Sequence, residues 1–229
     1  MSSPPHSHLA FVALGSNLGD ARQNVLRALQ RLQSLSDAPL RRSSLWETAP
    51  VDCPPGSPPF INAVAGLEPR ASETPRTLLA QLQALEKDLG RQPKKIPNEP
   101  RLIDLDLIAF GSQTVTPQSL VVGTPREPAK RAAQQFVPIS GVRSAQRADP
   151  TLPGPPKTDR LSQTNVAPDL VLPHPRAHLR RFVLQPLSEI APDYILPGQR
   201  KTVAKLLKEL HSKERLRPMP DLQAKRISL

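Results

Sequence analysis

Two aspartates stand two positions apart inside an apolar stretch that runs from Pro100 to Phe110. The stretch favours a β-strand, in which residues i and i+2 project from the same face. Asp104 and Asp106 would therefore project together, with Arg101 close by, while the apolar residues around them face a core. Two neighbouring negative charges are costly unless a cation neutralises them, and Mg²⁺ is commonly held by one or two carboxylates plus substrate phosphates. The stretch predicts a metal–phosphate site, although an edge strand with a solvated polar face has the same pattern.

Composition limits the partners of this chain of 229 residues. Its formal charge of +11 favours a polyanion, either a nucleic acid or a nucleoside triphosphate. The scarce aromatic residues (5 Phe, 1 Trp and 1 Tyr) argue against an RNA-binding sheet of stacked rings. The single cysteine, Cys53, excludes an internal disulfide and is compatible with a reducing compartment. Since neither a membrane span nor a targeting segment is visible, we expect a cytoplasmic location and no membrane partner.

Hydrophobic periodicity divides the chain into strands and helices. Besides the aspartate stretch, strands are predicted at 8–14, 41–48 and 60–67, and helices at about 20–35, 75–89 and 201–212. Thr74 is a candidate N-cap, Pro75 suits the first helical position, and Gly90 ends that helix. The order β-α-β-β-α-β predicts an α+β, ferredoxin-like fold, in which an antiparallel sheet carries helices on one face.

Residues 114–167 break this order because they are rich in proline and lack periodicity. We interpret them as a disordered insertion. It is either a surface loop that the fold tolerates, since closure entropy grows only with the logarithm of length, or translated non-coding sequence. The predicted domain comprises 8–113 and 168–212, between a disordered N-terminus at 1–7 and a polar, frayed tail at 213–229.

Two further segments have residues suited to phosphate. Between Pro173 and Phe182 lie two histidines and three arginines, and arginine offers a planar fork that matches phosphate oxygens. Taken alone, such a segment is more often an ordinary basic loop. The turn after the first strand resembles a phosphate-cradling turn but lacks the lysine and spacing of a P-loop. We expect Gly15 to form a tight turn there and Asn17 or Asp20 to cap the helix.

Three polar or aromatic residues could together bind a flat heterocycle. Phe60 and Asn62 share one face of their strand, and Thr48 ends another strand. Each also has a simpler explanation: a core position for Phe60, a turn for Thr48, and a loop hydrogen bond for Asn62.

Taken in order, these motifs resemble the 6-hydroxymethyl-7,8-dihydropterin pyrophosphokinase family of folate biosynthesis. The resemblance rests on residues 14–20, 44–50, 60–62, 85–91, 100–106, 173–176 and 180–193. Each segment is moderately specific, whereas the ordered set is highly specific. It covers about 8–113 and 168–212.

The resemblance implies an enzyme that transfers the pyrophosphoryl group of ATP to the pterin hydroxymethyl oxygen and releases AMP. Two Mg²⁺ ions would be held by Asp104 and Asp106, which act in catalysis together with Arg91 and Arg101. ATP would be bound by Glu86, Arg91, Arg101, His174 and Arg180, beneath a lid at 91–100. The pterin would lie between Phe60 and Phe182, with its polar edge against Thr48, Val51 and Asn62.

The implied partners are therefore ATP and hydroxymethyldihydropterin, without nucleic acid, and other folate enzymes that are linked or adjacent. A rival interpretation is a catalytically decayed homologue that binds polyanions. The charge of +11 supports this rival, but the acidic pair would repel a nucleic-acid backbone.

Overall fold

A computed structural model describes residues 6, 8–50, 53–93, 99–116 and 170–220. Several predictions fall outside this described part. They concern the pterin-site residue Val51, most of the N-terminal segment, residues 94–98 of the expected lid, and the insertion from 117 onwards.

The described part contains six strands and four α-helices. The strands are β1 (Ala10–Ser16), β2 (Arg41–Arg42), β3 (Trp46–Thr48), β4 (Phe60–Leu67), β5 (Asp104–Phe110) and β6 (Leu216–Pro218). The helices are α1 (Ala21–Leu32), α2 (Pro75–Asp88), α3 (Arg181–Ile190) and α4 (Val203–Glu209). Two short 3₁₀ turns lie at Gln33–Leu35 and Ala177–Leu179.

The strands form one antiparallel sheet in the order β5-β1-β4-β3-β6, with β2 paired to β4. The predicted α+β class and ferredoxin-like strand order are confirmed. The single strand expected at 41–48 is instead divided into β2 and β3, which both pair with β4. Strand β1 lies between β4 and β5. Each of residues 10–15 in β1 therefore has one neighbour on β4 and another on β5.

Local signals set the starts of the first two helices. The Asp20 carboxylate accepts a hydrogen bond from the Gln23 N–H at 3.0 Å and caps α1. Thr74 caps α2 by accepting from the Thr77 N–H at 3.2 Å, and Pro75 occupies the first turn, as predicted. Both helices therefore begin where capping residues satisfy otherwise unpaired N–H groups.

Helices cover both faces of the sheet, so the expectation of helices on one face is corrected. Val12 and Leu14 of β1 belong to the core that includes the buried sides of α1 and α2. Phe11 of the same strand points to the opposite core, which includes residues of α3 and α4. Strand β4 is buried along its length after Phe60, as is typical of a strand covered on both faces.

The C-terminal region is more ordered than the sequence predicts. Residues 216–218, which we expect in a frayed tail, form β6 and pair with β3 at the sheet edge. The last helix is shorter than predicted, and 181–190 form a helix despite the internal Pro186. No helix within the described ranges is both long and apolar enough to cross a membrane.

The two segments that flank residues 117–169 pair with each other through backbone hydrogen bonds. Val115 and Leu172 each donate a backbone hydrogen bond to the carbonyl of the other, both at 2.9 Å. The His174 N–H then donates to the Ile108 carbonyl of β5 at 2.8 Å. The arginine- and histidine-rich segment consequently returns to the edge of the sheet that carries the two aspartates.

Candidate active site

The two aspartates project from β5 beside the central strand. Asp104 is opposite Gly15 of β1 and Asp106 is opposite Ala13, while Gly15 also faces Asn62 of β4 on its other side. The apolar neighbours Ile103, Leu105 and Leu107 are buried, as the alternation predicts. Strand register thus places Asp104 and Asn62 on the two sides of Gly15, near one end of β1.

Two arginines enclose the Asp104 carboxylate. The Arg101 guanidinium lies 2.6 Å from Oδ2 and the Arg91 guanidinium lies 2.7 Å from Oδ1. Both arginine side chains are largely buried, at 16% and 17% exposed respectively. Arg101 Nε is buried without a hydrogen-bond partner in the described part of the chain. An unpaired buried guanidinium nitrogen leaves a donor available for an anion.

Glu86 supports Arg91 from helix α2. Its carboxylate accepts a hydrogen bond from the Leu105 N–H at 2.6 Å and also contacts the Arg91 guanidinium. Burial raises the pKa of Glu86 to about 7, against the lowering effects of Leu105 and Arg91. Glu86 therefore orients Arg91 and fixes the backbone between the two aspartates.

Burial and charged neighbours shift the pKa of Asp106. Burial, followed by the negative charge of Asp104, raises the pKa of the Asp106 carboxyl to about 6, and the positive charge of Arg180 opposes this most strongly. Burial and the nearby Arg176 lower the pKa of Arg180, while Asp106 and Asp104 raise it. The pKa of His174 is lowered by burial and then by the charge of Arg180. The segment beyond residue 169 thus supplies positive charge to the aspartates.

Polar groups from β3 and β4 form a second cluster. The Asn62 Nδ2 donates to Thr48 Oγ1 at 2.8 Å, and both residues are buried. A Cβ at Gly15 would lie 3.3 Å from Asn62 Oδ1 and 3.9 Å from the Phe60 ring. Gly15 therefore leaves room for these side chains from within β1, which corrects its assignment to a tight turn. The turn glycine is Gly19, with φ of 64°.

The two proposed aromatic residues each lie beside an arginine. Arg101 Cζ is 5.9 Å from the centre of the Phe60 ring, and Arg180 Cζ is 5.3 Å from the centre of the Phe182 ring. Phe60 thus connects the Thr48–Asn62 cluster with the Arg101–Asp104 cluster. The predicted residues therefore fall into neighbouring groups, with Val51 outside the described range.

A cavity of about 230 Å³ opens beside Arg91 and Arg101. Its walls are formed by Leu18, residues 90–93 and residues 99–102. The side chain of Leu102 also approaches the turn glycines Gly19 and Gly90. The cavity therefore adjoins the two arginines on the side of the expected lid.

The donor set is compatible with Mg²⁺ only if substrate oxygens complete it. No group of three or more histidine, cysteine, aspartate or glutamate residues that could hold a metal occurs within the described ranges. Asp104 and Asp106 are hard oxygen donors on one strand face, and their mutual repulsion is the kind that a divalent cation relieves. Two carboxylates, phosphate oxygens and water together match the ligands that Mg²⁺ prefers.

Sequence reasoning missed three residues that support the site. Asn17, considered only as a cap, instead binds the Arg101 backbone at 2.8 Å. Glu214 accepts from the Phe182 N–H at 3.2 Å, and Glu189 accepts from Trp46 Nε1 at 2.6 Å. The position of Asn17 in the turn motif was a usable signal. Nothing local in the sequence connects the two glutamates to partners so distant along the chain.

The sheet order and the charged cluster define an α+β domain with a site suited to phosphorylated substrates. The fold matches crystal structures of Plasmodium falciparum HPPK-DHPS, for example the wild type with pteroate, with a TM-score of 0.53 and 13% identity. That match covers 87% of this chain and 42% of the other. The family model for 7,8-dihydro-6-hydroxymethylpterin-pyrophosphokinase (HPPK) matches residues 11–192, and the chain belongs to this family. The resemblance drawn from the motifs is confirmed.

Curated relatives include single and longer proteins. The 2-amino-4-hydroxy-6-hydroxymethyldihydropteridine pyrophosphokinase of Synechocystis sp. is 28% identical over 90% of this chain and 78% of the relative. The protein of the same name from Haemophilus influenzae is 27% identical over 91% and 98%. The Folic acid synthesis protein fol1 of Pneumocystis carinii is 36% identical over 51% of this chain, but the match spans only 15% of that longer relative.

Proposed function

We propose that this chain transfers the pyrophosphoryl group of ATP to the hydroxymethyl oxygen of 6-hydroxymethyl-7,8-dihydropterin, giving the pterin diphosphate, AMP and a proton. The observation that carries the proposal is the Arg91–Asp104–Arg101 cluster next to the half-buried Asp106. Family membership supports the same reaction and favours an enzyme over a decayed polyanion-binding homologue.

Arg91 and Arg101 bind the triphosphate in this proposal. Each guanidinium has several donors, so it can keep one bond to Asp104 while donating others to phosphate oxygens. The unpaired Arg101 Nε is one such donor. Arg180 adds positive charge near the aspartates, and both Arg180 and His174 offer hydrogen-bond donors. Phosphoryl transfer depends mainly on such positioning and charge neutralisation.

Asp104 and Asp106 would hold two Mg²⁺ ions together with phosphate oxygens. When bound, Mg²⁺ supplies charge neutralisation on the triphosphate and helps orient the reacting oxygens. The protein's own contribution is to keep both carboxylates on one strand face. Glu86 assists by holding the Leu105 N–H between them at 2.6 Å.

The pterin occupies the end of the sheet near β3 and β4. The Thr48–Asn62 pair offers a hydroxyl and an amide to the polar edge of the ring. Phe60 and Phe182 offer aromatic faces, and each already lies beside an arginine of the ATP side. The pterin hydroxymethyl group would then point towards the aspartates, as transfer between the two substrates requires.

The proposal is tested by incubating the purified chain with ATP, Mg²⁺ and hydroxymethyldihydropterin and measuring AMP. We expect pterin-dependent AMP release that is abolished by EDTA and restored by excess Mg²⁺. Asp104→Ala and Asp106→Ala should nearly abolish it with unchanged circular dichroism. Asp37→Ala, at a carboxylate that is 59% exposed, is the control and should retain activity. Absence of AMP from the wild type would overturn the proposal, and active aspartate variants would overturn the metal assignment.

Two further parts of the proposal concern a second folate enzyme and the cellular location of the chain. A second folate enzyme, linked or adjacent, would receive the pterin diphosphate, and curated relatives named bifunctional folate synthesis proteins motivate this. We also propose a cytoplasmic location, with which the single cysteine, Cys53, is compatible. Cell fractionation that finds the chain in another compartment would contradict the location.

A further inference from the structure

Asn17 is a buried polar residue that the proposed reaction leaves without a role. It follows β1 directly and is only 2% exposed. It does not cap α1, because Asp20 accepts the hydrogen bond from the Gln23 N–H. A buried amide must nevertheless have partners, since leaving it unpaired is costly.

The partners of Asn17 lie on two other segments of the site. Its Oδ1 accepts from the Arg101 N–H at 2.8 Å, and its own N–H donates to the Arg101 carbonyl at 3.1 Å. Its Nδ2 donates to the Pro58 carbonyl at 3.3 Å. One residue therefore binds both backbone groups of Arg101 and also holds the loop that leads into β4.

Both segments carry side chains of the proposed substrate sites. Arg101 contacts Asp104 at 2.6 Å on the ATP side. Pro58 stands two residues before Phe60, whose ring lies 5.9 Å from Arg101 Cζ. The Asn17 amide thus spans the boundary between the phosphate-binding and the pterin-binding residues.

We propose that Asn17 is a positioning residue that sets the placement of Arg101 relative to the pterin end of β4. It acts through these backbone bonds and does not touch either substrate. The proposal rests on the pyrophosphoryl-transfer function, because it assigns Arg101 to ATP and Phe60 to the pterin. A misplacement of about 1 Å between reacting groups costs roughly 100-fold in rate.

Asn17→Ala removes the amide donor and acceptor together. We expect kcat/KM to fall by roughly 100-fold, with KM rising for both ATP and pterin. The matched control is Gln33→Ala, at the opposite end of α1. The Gln33 amide also donates to a backbone carbonyl, that of Ala38 at 3.0 Å, and accepts from a backbone N–H, that of Leu40 at 3.1 Å.

The control separates positioning from stability. Both variants lose one side-chain donor and one acceptor, and we expect both to lower the Tm. Only Asn17→Ala should change kcat/KM strongly, measured well below the Tm of each variant. If Asn17→Ala and Gln33→Ala give the same kcat/KM, the bonds of Asn17 are merely structural and the proposal is wrong.

A second variant keeps the test decisive if Asn17→Ala does not fold. Asn17→Asp keeps an oxygen acceptor for the Arg101 N–H but loses the amide donor to the Pro58 carbonyl. We expect the KM for the pterin to rise about tenfold and the KM for ATP to change less than about threefold. Unchanged KM values for both substrates would overturn the proposal.

Failure of the positioning role can be told apart from failure of the proposed function. If the wild type releases no AMP, the function itself is wrong. If the wild type is active and Asn17→Ala matches the control, only the role of Asn17 is wrong. Pterin binding to Asn17→Ala, followed by the intrinsic fluorescence of the pterin, gives a readout independent of turnover and should be weakened.

Discussion

Replacing Glu86 by glutamine tests how a buried carboxyl sets the pH dependence of stability. Glu86 is 7% exposed and accepts a hydrogen bond from the Leu105 N–H at 2.6 Å. Glutamine has nearly the same shape and keeps an oxygen acceptor, but it does not titrate. The difference between wild type and Glu86→Gln therefore isolates the ionisation of this group.

The magnitude follows from the two pKa values of Glu86. Burial raises its pKa from an ordinary value of 4.5 to about 7 in the folded chain. Because a tenfold change in proton affinity is worth about 1.4 kcal/mol, the two values differ by about 3 kcal/mol. Between these two pKa values, Glu86 holds a proton in the folded chain that it releases in the unfolded chain. The contribution of Glu86 to the free energy of unfolding is therefore fully present below about pH 4.5 and is lost as the pH rises through about 7.

The assay is urea unfolding of both proteins across this pH range. We expect the free energy of unfolding of Glu86→Gln to gain about 3 kcal/mol on that of the wild type between pH 4.5 and about pH 8. Asp88→Asn is the control, because Asp88 lies at the end of the same helix, pairs with Arg31 at 3.4 Å and is 62% exposed. Parallel pH profiles for wild type and Glu86→Gln would refute the reasoning.

Three further changes test other parts of the structure. Glu214→Ala removes the acceptor of the Phe182 N–H at 3.2 Å, so it should lower the free energy of unfolding in urea by about 1 kcal/mol. It should also raise the KM for the pterin, and an unchanged KM would contradict a connection between Glu214 and the pterin site. Thr48→Val leaves the Asn62 amide without its acceptor at 2.8 Å, so the KM measured by AMP release should rise for the pterin and stay constant for ATP. Equal changes in the two KM values would argue against placing Thr48 and Asn62 at the pterin. Replacing 117–169 by a short Gly-Ser linker should preserve kcat, because the Val115–Leu172 pair already joins the flanking chain at 2.9 Å, and a large loss would show that the removed residues contribute.

Local patterns predicted much of the scaffold. Alternation in β5 placed both aspartates on one face and their apolar neighbours in the core. Thr74 and Pro75 marked the start of α2 because capping depends on neighbouring residues. The continuous apolar run of β4 also signalled burial on both faces, although we expected helices on one face only.

Contacts between distant segments were beyond reach of those patterns. Glu214 caps α3 from a segment that the polar composition assigned to a frayed tail. Glu189 joins α3 to Trp46 across most of the chain. Such bonds form only when the folded chain brings distant segments together. Neither the residue types nor their spacing in one segment predicts which segment will lie beside it.

The sequence by itself determined the family and the βαββαβ order of the main elements, and it pointed to the residues proposed for the site, since motifs and periodicities are read from neighbouring residues. The tertiary structure decided how those residues are connected. Strand register placed Asp104 and Asn62 on the two sides of Gly15, and the Val115–Leu172 pair returned the basic segment to β5. It also turned Asn17 from a candidate cap into a buried link between Arg101 and the loop before β4, because the choice among possible hydrogen-bond partners is made only when distant segments meet.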